Sequence, residues 1–158
     1  MKTDKIILDA CCGSRMFWFD KTNPNVLFAD IRNESHVLCD GRDLVIAPDI
    51  QIDFREMPFG DNTFKLVVFD PPHLIKLGSN SWMAKKYGKL NLAWEQDIKQ
   101  GFDECVRVLQ VGGTLIFKWN ERDIKANDLI RAIGMQPLFG HKTRANSETI
   151  WMAFMKGL

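Results

Sequence analysis

Between Leu66 and Lys76 the chain reads LVVFDPPHLIK. Four apolar residues of strand type end on a carboxylate, and two prolines follow at once. Proline fixes its own φ and drives the residue before it into extended backbone, so Asp70 and Pro71 are both held open. An ordinary strand end needs one turn residue and no such lock. The corner therefore offers a carboxylate and a backbone carbonyl in restricted directions at the end of a buried strand. Two acceptors placed together suit a donor with two protons, and an amino group is such a donor.

Working outward, further runs share the apolar, β-branched character of Leu66–Asp70. They are KIILDA (Lys5 to Ala10), VLFADI (Val26 to Ile31), IQIDF (Ile50 to Phe54), TLIFKW (Thr114 to Trp119) and ETIWMAFM (Glu148 to Met155). Near-continuous apolarity, rather than alternation, predicts central strands covered on both faces. Helical spacing of Ile98, Phe102, Cys105, Val106 and Leu109 predicts a helix over Trp94 to Leu109, stopped by Val111-Gly112-Gly113. A second helix is predicted over Ile124 to Ile133, with Gly134 as its stop. Alternating strands and helices argue for an α/β sheet with mostly parallel strands. The short segment holding MFWFDKTN leaves room only for a short first helix. SHVLCDGRDLVIAP reads as a β-hairpin turning at Asp40-Gly41, so one sheet face is expected to be thinly covered.

The 158 residues suit one domain, and 46% apolar content supports a packed core. Lys and Arg number 21 against 20 Asp and Glu, which excludes a strongly basic or acidic global field. Cys11, Cys12, Cys39 and Cys105 show no metal-binding spacing and no disulfide framework. The start lacks an apolar leader, and no apolar run approaches the ~20 residues of a membrane span. A reduced, cytoplasmic protein without a metal is the expectation.

Carboxylates recur at the strand ends. Asp9 opens the small-residue turn DACCGSR, Asp30 ends the second run, Asp53 ends the third and precedes Phe54, and Asp70 ends the fourth. In a parallel sheet these ends share the carboxyl edge, where open α/β sheets bind ligands. The turn lets backbone approach a nucleotide-like ligand, but with Gly13 as its only glycine it is not a phosphate-binding GxGxxG. Asp30 lies near the ~20-residue offset at which an acid grips ribose hydroxyls. Asp53 and Phe54 can offer a carboxylate and a ring to an adenine.

ILDACCGS, VLFADI, IDFREMPFGDNTFKLVVFDPPH and RVLQVGGTLIFKW, in that order, resemble a class I S-adenosylmethionine-dependent methyltransferase over roughly residues 5 to 120. The resemblance implies a Rossmann-like fold over 1–158 with a mostly parallel sheet, an antiparallel C-terminal strand and reduced helices on one face. It implies S-adenosylmethionine as cofactor, its methionine part held by Asp9, Ala10, Cys11 and Gly13. The ribose would fall to Asp30 and the adenine to Asp53 and Phe54. Cys11 and Arg15 stand where the family usually has glycines.

Asp70-Pro71-Pro72-His73 is similar to the (D/N)PP(Y/F/W) signature of amino-group methyltransferases, which act on bases or glutamine amides. An exocyclic amine is a weak nucleophile because its lone pair is delocalised. Asp70 and the Pro71 carbonyl would accept its protons, Pro72 would hold Pro71 extended, and His73 would stack where an aromatic ring is usual. Asp70 would also border the cofactor. No strong base is required, with His73 the lesser option.

From Leu74 to Trp94 the chain carries Lys76, Lys85, Lys86 and Lys89 with no acid, interleaved with Trp82, Tyr87 and Trp94. Cations among aromatics suit phosphate contact and base stacking, and Lys76, Trp82, Lys85, Lys86 and Tyr87 are the candidate substrate contacts. The length of this stretch suits a lid, with Gly78, Ser79, Asn80 and Ser81 as its flexible lead-in. His141, Lys142 and Arg144 form a smaller basic group. These features favour a nucleic-acid substrate, DNA or RNA, with adenine N6 or cytosine N4 as acceptor. Lacking a recognition domain, the chain would call on a homodimer or a recognition partner. The alternatives are a protein side-chain or small-molecule acceptor, a non-catalytic cofactor-binding module, and an NAD-linked oxidoreductase, which would need the absent GxGxxG.

Overall fold

The computed structural model describes residues 1–76, 78 and 81–158. In chain order its elements are β1 (Ile7–Asp9), β2 (Val26–Asp30), β3 (Glu34–Val37), β4 (Asp43–Ile46), β5 (Ile50–Gln51), β6 (Phe64–Phe69), α1 (Trp82–Tyr87), α2 (Trp94–Val108), β7 (Leu109–Asn120), α3 (Ala126–Ile133), β8 (Phe139–Lys142) and β9 (Thr149–Met155). Seven strands form one sheet in the order β5-β2-β1-β6-β7-β9-β8. The first five in that order run parallel, β9 is antiparallel to β7, and β8 is antiparallel to β9. The order reverses between β1 and β6, which makes the gap between their carboxyl ends the topological switch point. Asp9 and Asp70 flank that gap.

Side-chain parity divides the sheet into two unlike faces. Leu8, Leu27, Val67, Phe69, Leu115, Phe117, Met152 and Phe154 point toward α2 and α3 and share one core with Ile98, Phe102, Cys105 and Leu129. On the opposite face Val26 and Phe28 meet Cys12 and Trp18 in a small separate cluster. The short first helix expected after β1 does not form. Gly13 and Arg15 both adopt positive φ, +50° and +56°, which breaks a helix before it starts. Aromatic packing covers the strands instead: Trp18 meets Phe28 edge-on at 5.2 Å, and the Arg15 guanidinium lies 3.9 Å from the Phe28 ring centre.

The expected hairpin is present as β3 and β4, a separate two-stranded sheet, with Gly41 at φ +80° donating its N–H to the Leu38 carbonyl. Val111-Gly112-Gly113 does not stop α2, however. That helix ends on extended Leu109, and the glycines form an irregularity inside β7, where the register jumps from Phe64–Leu109 to Leu66–Thr114. Within the stretch read as a lid lies a helix, α1, which composition did not foretell; Ser79 and Asn80 of its lead-in lie outside the described residues. Among the described residues no helix is long and apolar enough to cross a membrane.

Candidate active site

All four acids lie along one rim, at the carboxyl ends of β5, β2, β1 and β6. Asp9 is fully buried, accepting from the Trp18 indole N–H at 2.7 Å and from the Cys11 N–H at 3.3 Å; burial pushes its carboxyl up to about 7. Asp30 accepts the Gly13 N–H at 2.9 Å on one oxygen, and the Arg32 N–H and Nε at 2.9 and 3.2 Å on the other. A Cβ on Gly13 would meet nothing closer than Arg32 at 3.9 Å, so its positive φ rather than space calls for glycine. Arg55 bonds Asp53 at 2.6 Å, holding that carboxyl below its ordinary value, and reaches Asp97 at 2.9 Å. Ala10 is buried beneath this turn. Burial raises the Cys11 thiol and takes Cys12 to about 12, so neither is a nucleophile.

Cavities line the rim in sequence. The first, 580 Å³, is bounded by Ile31, Asp53, Phe54, Pro72, Leu90 and Leu92. Phe54 is wedged between Phe69, at 5.3 Å, and Gly101, where an added Cβ would fall 2.3 Å from its ring. It therefore walls the cavity with a fixed ring rather than a free platform. Next comes a slot of 30 Å³ between Cys11, Gly13, Asp70, Pro71, His73 and Tyr87. The last, 260 Å³, is lined by Asp70, His73, Tyr87, Lys118, Asn120 and Arg122. Slot and last cavity share Met16, Asp70, His73 and Tyr87.

Asp70 thus stands where the two spaces meet. Burial raises its carboxyl, opposed by Lys118, whose Nζ donates to Oδ2 at 2.5 Å. His73 is buried and pushed down to about 4 by desolvation, with Lys118 adding to the effect. At neutral pH it is an uncharged imidazole and a feeble base. Nor is it an open stacking surface, because Tyr87 and Trp119 flank its ring at 5.7 and 6.2 Å. Tyr87, which borders both spaces, is the better placed aromatic.

In the stretch read as a lid, α1 and Gly88 are docked on this corner. Gly88, at φ +75°, lies so near Pro72 that an added Cβ would fall 2.9 Å from Cγ. Arg32 Nη1 donates to the Lys85 carbonyl at 2.9 Å, tying the ribose-type acid to α1. Of the expected substrate contacts, Lys86 and Tyr87 reach the site. Lys76, Trp82 and Lys85 line none of the three spaces, and Lys89 borders the first cavity instead. Trp94 starts α2 and packs on the core. His141, Lys142 and Arg144 are exposed beside the last strands, with Lys142 paired to Glu121 at 2.6 Å. Lys118, Arg122, Asn120, Met16, Ile31 and Leu90 escaped the sequence reading; a lone cation inside the apolar run TLIFKW was the available signal for Lys118.

No model of a known protein family matches the chain, and no curated protein does. Solved structures do. PH0226 protein from Pyrococcus horikoshii OT3 superposes with a TM-score of 0.59 at 14% identity over 95% of this chain and 81% of its own. A geranyl diphosphate methyltransferase in complex with S-adenosylmethionine gives 0.55 at 11% identity over 99% and 79%. The [4+2]-cyclase SpnF gives 0.55 at 12% identity over 99% and 76%. The chain has the Rossmann-like methyltransferase fold, with a seven-stranded, mostly parallel sheet and few helices. A cyclase on the same fold shows that the fold leaves the reaction open.

Proposed function

We propose that the chain is an S-adenosylmethionine-dependent methyltransferase acting on an exocyclic amino group, with adenine N6 or cytosine N4 of nucleic acid as the acceptor. The observation that carries this reading is the position of Asp70, which lines both the slot beside the Cys11–Gly13 turn and the last cavity, with Pro71 on the slot side. The rim fits the cofactor: 580 Å³ between Ile31 and Leu90, with Asp53 at its edge, is within the usual range for a small-ligand site. Cys11 and Gly13, which border the slot, would meet the methionine end; Asp9, Ala10 and Asp30 are buried, line none of the three spaces and would support the turn from behind. When bound, the cofactor supplies an electrophilic methyl group on a sulfonium.

The chain's own residues then act on the acceptor. Asp70 accepts a hydrogen bond from one amino proton and the Pro71 carbonyl from the other, with both protons still on nitrogen, which turns the nitrogen lone pair out of conjugation. The nitrogen gains a methyl group and then sheds one proton, for which Asp70 is the adjacent carboxylate. Tyr87 supports one face of the acceptor. Lys86 and Arg122 put positive charge beside the cavities, suited to the phosphate of a nucleotide. A duplex target would have to be flipped out to reach a cavity beneath α1.

A small-molecule acceptor is the second reading, favoured by the 260 Å³ volume of the acceptor cavity under a docked lid. The geranyl diphosphate methyltransferase of the same fold is a precedent. Transfer of a radiolabelled methyl group separates these: DNA, RNA, protein and small metabolites are offered in turn. Label in nucleic acid is the expected result. Label confined to metabolites or protein overturns the acceptor assignment, and cofactor binding without transfer to any acceptor overturns the enzymatic one.

A further inference from the structure

We propose that Lys118 is a positioning residue of the acceptor site: it fills one oxygen of Asp70 and so leaves Oδ1 as the oxygen that receives the substrate amino proton. The inference rests on the methyl-transfer reading above. Strand register builds the pair. Phe69 lies opposite Phe117 across β6 and β7, which sets Asp70 beside Lys118 at the carboxyl edge. The Lys118 Nζ reaches Oδ2 at 2.5 Å, and among the described residues no hydrogen-bond donor meets Oδ1. Both side chains are about four-fifths buried, at 19% and 18% exposure, so this is not a solvent-screened surface pair.

Lys118 is itself held in place. Its Nζ lies 5.4 Å from the Phe17 ring centre and 5.7 Å from that of Trp151, and those two rings meet edge-on at 5.5 Å. Two aromatic faces around an ammonium restrict where it can sit and stabilise its charge. Phe17 comes from the helix-free segment after β1 and Trp151 from β9, so the cage draws on opposite ends of the chain.

The groups facing Asp70 explain why a fixed cation is needed. Asp9 approaches from β1, with Asp30 behind it, the Cys11 thiol lies in the turn, and uncharged His73 follows in the same loop. Arg32 and Lys86 line the slot, and Arg122 and Glu148 the last cavity, but among the described residues Lys118 is the cation that bonds Asp70. Burial among such groups favours the protonated carboxyl, and a protonated Asp70 would present an O–H to an amine that needs an acceptor. Lys118 opposes the rise that burial imposes on Asp70 and at the same time selects its free oxygen. A substrate bound in the last cavity then meets Asp70 with one oxygen free, and the Pro71 carbonyl borders the adjoining slot.

The test uses full-length protein with Lys118→Met and Lys118→Arg. Three readouts are taken: affinity for the demethylated cofactor product, the pH profile of methyl transfer, and titration of the Asp70 carboxyl followed by its 13Cγ signal. In Lys118→Met, cofactor-product affinity should stay within about threefold of wild type while kcat at neutral pH falls by about 100-fold. The acidic limb of the profile should move upward by about one pH unit or more, the 13Cγ titration should move with it, and Lys118→Arg should restore most of both. An unmoved acidic limb in Lys118→Met, at whatever rate, reduces Lys118 to a structural ion pair and overturns the inference. A raised KM with kcat unchanged makes Lys118 a direct substrate contact and also overturns it. Should Lys118→Met fail to fold, an unmoved limb and carbon signal in Lys118→Gln decide against the inference in the same way. If wild type moves no methyl group, the reading beneath fails instead, whereas transfer by wild type with an unmoved limb sinks the inference alone.

Discussion

Asp9 and Asp70 end neighbouring strands on either side of the switch point, and both are buried carboxyls at the same rim. Their partners differ. Asp9 receives only uncharged N–H groups, from Trp18 and Cys11, and sits at about 7, far above the ordinary 3.8. Asp70 receives the Lys118 ammonium, which opposes its own burial. Neutral hydrogen bonds satisfy a buried carboxyl without keeping it ionised, whereas one well-placed cation does both. The rim therefore holds two carboxyls that burial raises, one at about 7 with neutral donors only and one whose rise a cation opposes.

The comparison breaks most sharply at Asp70. Asp70→Ala is expected to lower methyl transfer by about 100- to 1,000-fold, read in single-turnover assays with the preferred acceptor. Affinity for the demethylated product, measured by calorimetry, should change little, because the proposed cofactor site is built chiefly from the turn after β1 and the segments after β2 and β5. A loss of affinity that matches the loss of rate would show Asp70 to be a cofactor residue first.

Stability against pH sharpens the contrast. The folded value of Asp9 exceeds its unfolded one, so between about pH 4 and 7 the folded chain keeps a proton that the unfolded chain releases, and stability falls as pH rises. His73 runs the other way. Its folded value of about 4 lies below the ordinary 6.5, so in that window the unfolded chain holds the proton and stability rises with pH. Each effect is on the order of 3 kcal/mol, and they largely cancel between pH 4 and 6.5. Denaturant unfolding of Asp9→Asn should uncover a rise with pH, and His73→Gln a fall. Parallel profiles for wild type and both variants would refute the assigned shifts.

A smaller effect is expected where the lid meets the corner. Gly88→Ala combines a left-handed φ with a contact of 2.9 Å to Pro72, so α1 must shift. Loss of about 1–2 kcal/mol is expected, seen as faster proteolysis within α1 and about a tenfold drop in kcat/KM, with the Tm of the sheet little changed. The smallest change concerns thiols. Cys105, fully buried with its thiol raised by burial, should be the last to react with iodoacetamide at neutral pH, and exposed Cys39 the first, without effect on methyl transfer.

Much of this fold can be read along the chain because parallel strands buried on both faces appear as continuous apolar runs. β2, β6 and the body of β7 fall where those runs lie, α2 and α3 follow their apolar periodicity, and Gly41 marks the hairpin. The acids of the rim were legible for the same reason, each closing an apolar run. Local pattern failed where a distant partner decides. The segment after β1 is held by Asp9 and Phe28 rather than by helical bonds of its own, and α1, six residues long with no buried side chain, leaves no periodic trace.

Sequence alone determined six of the seven strands of the main sheet, missing β8, and showed that four of them end in aspartate and that Pro71 and Pro72 stiffen the last of these ends. Tertiary structure decided what each acid does. Asp70 and Lys118 lie 48 residues apart, and only the register of β6 on β7 makes them a pair. Burial of His73 and docking of α1 likewise depend on contacts between distant segments. Charge state and cavity shape follow from such contacts, because desolvation and Coulomb energy act through space and not along the chain.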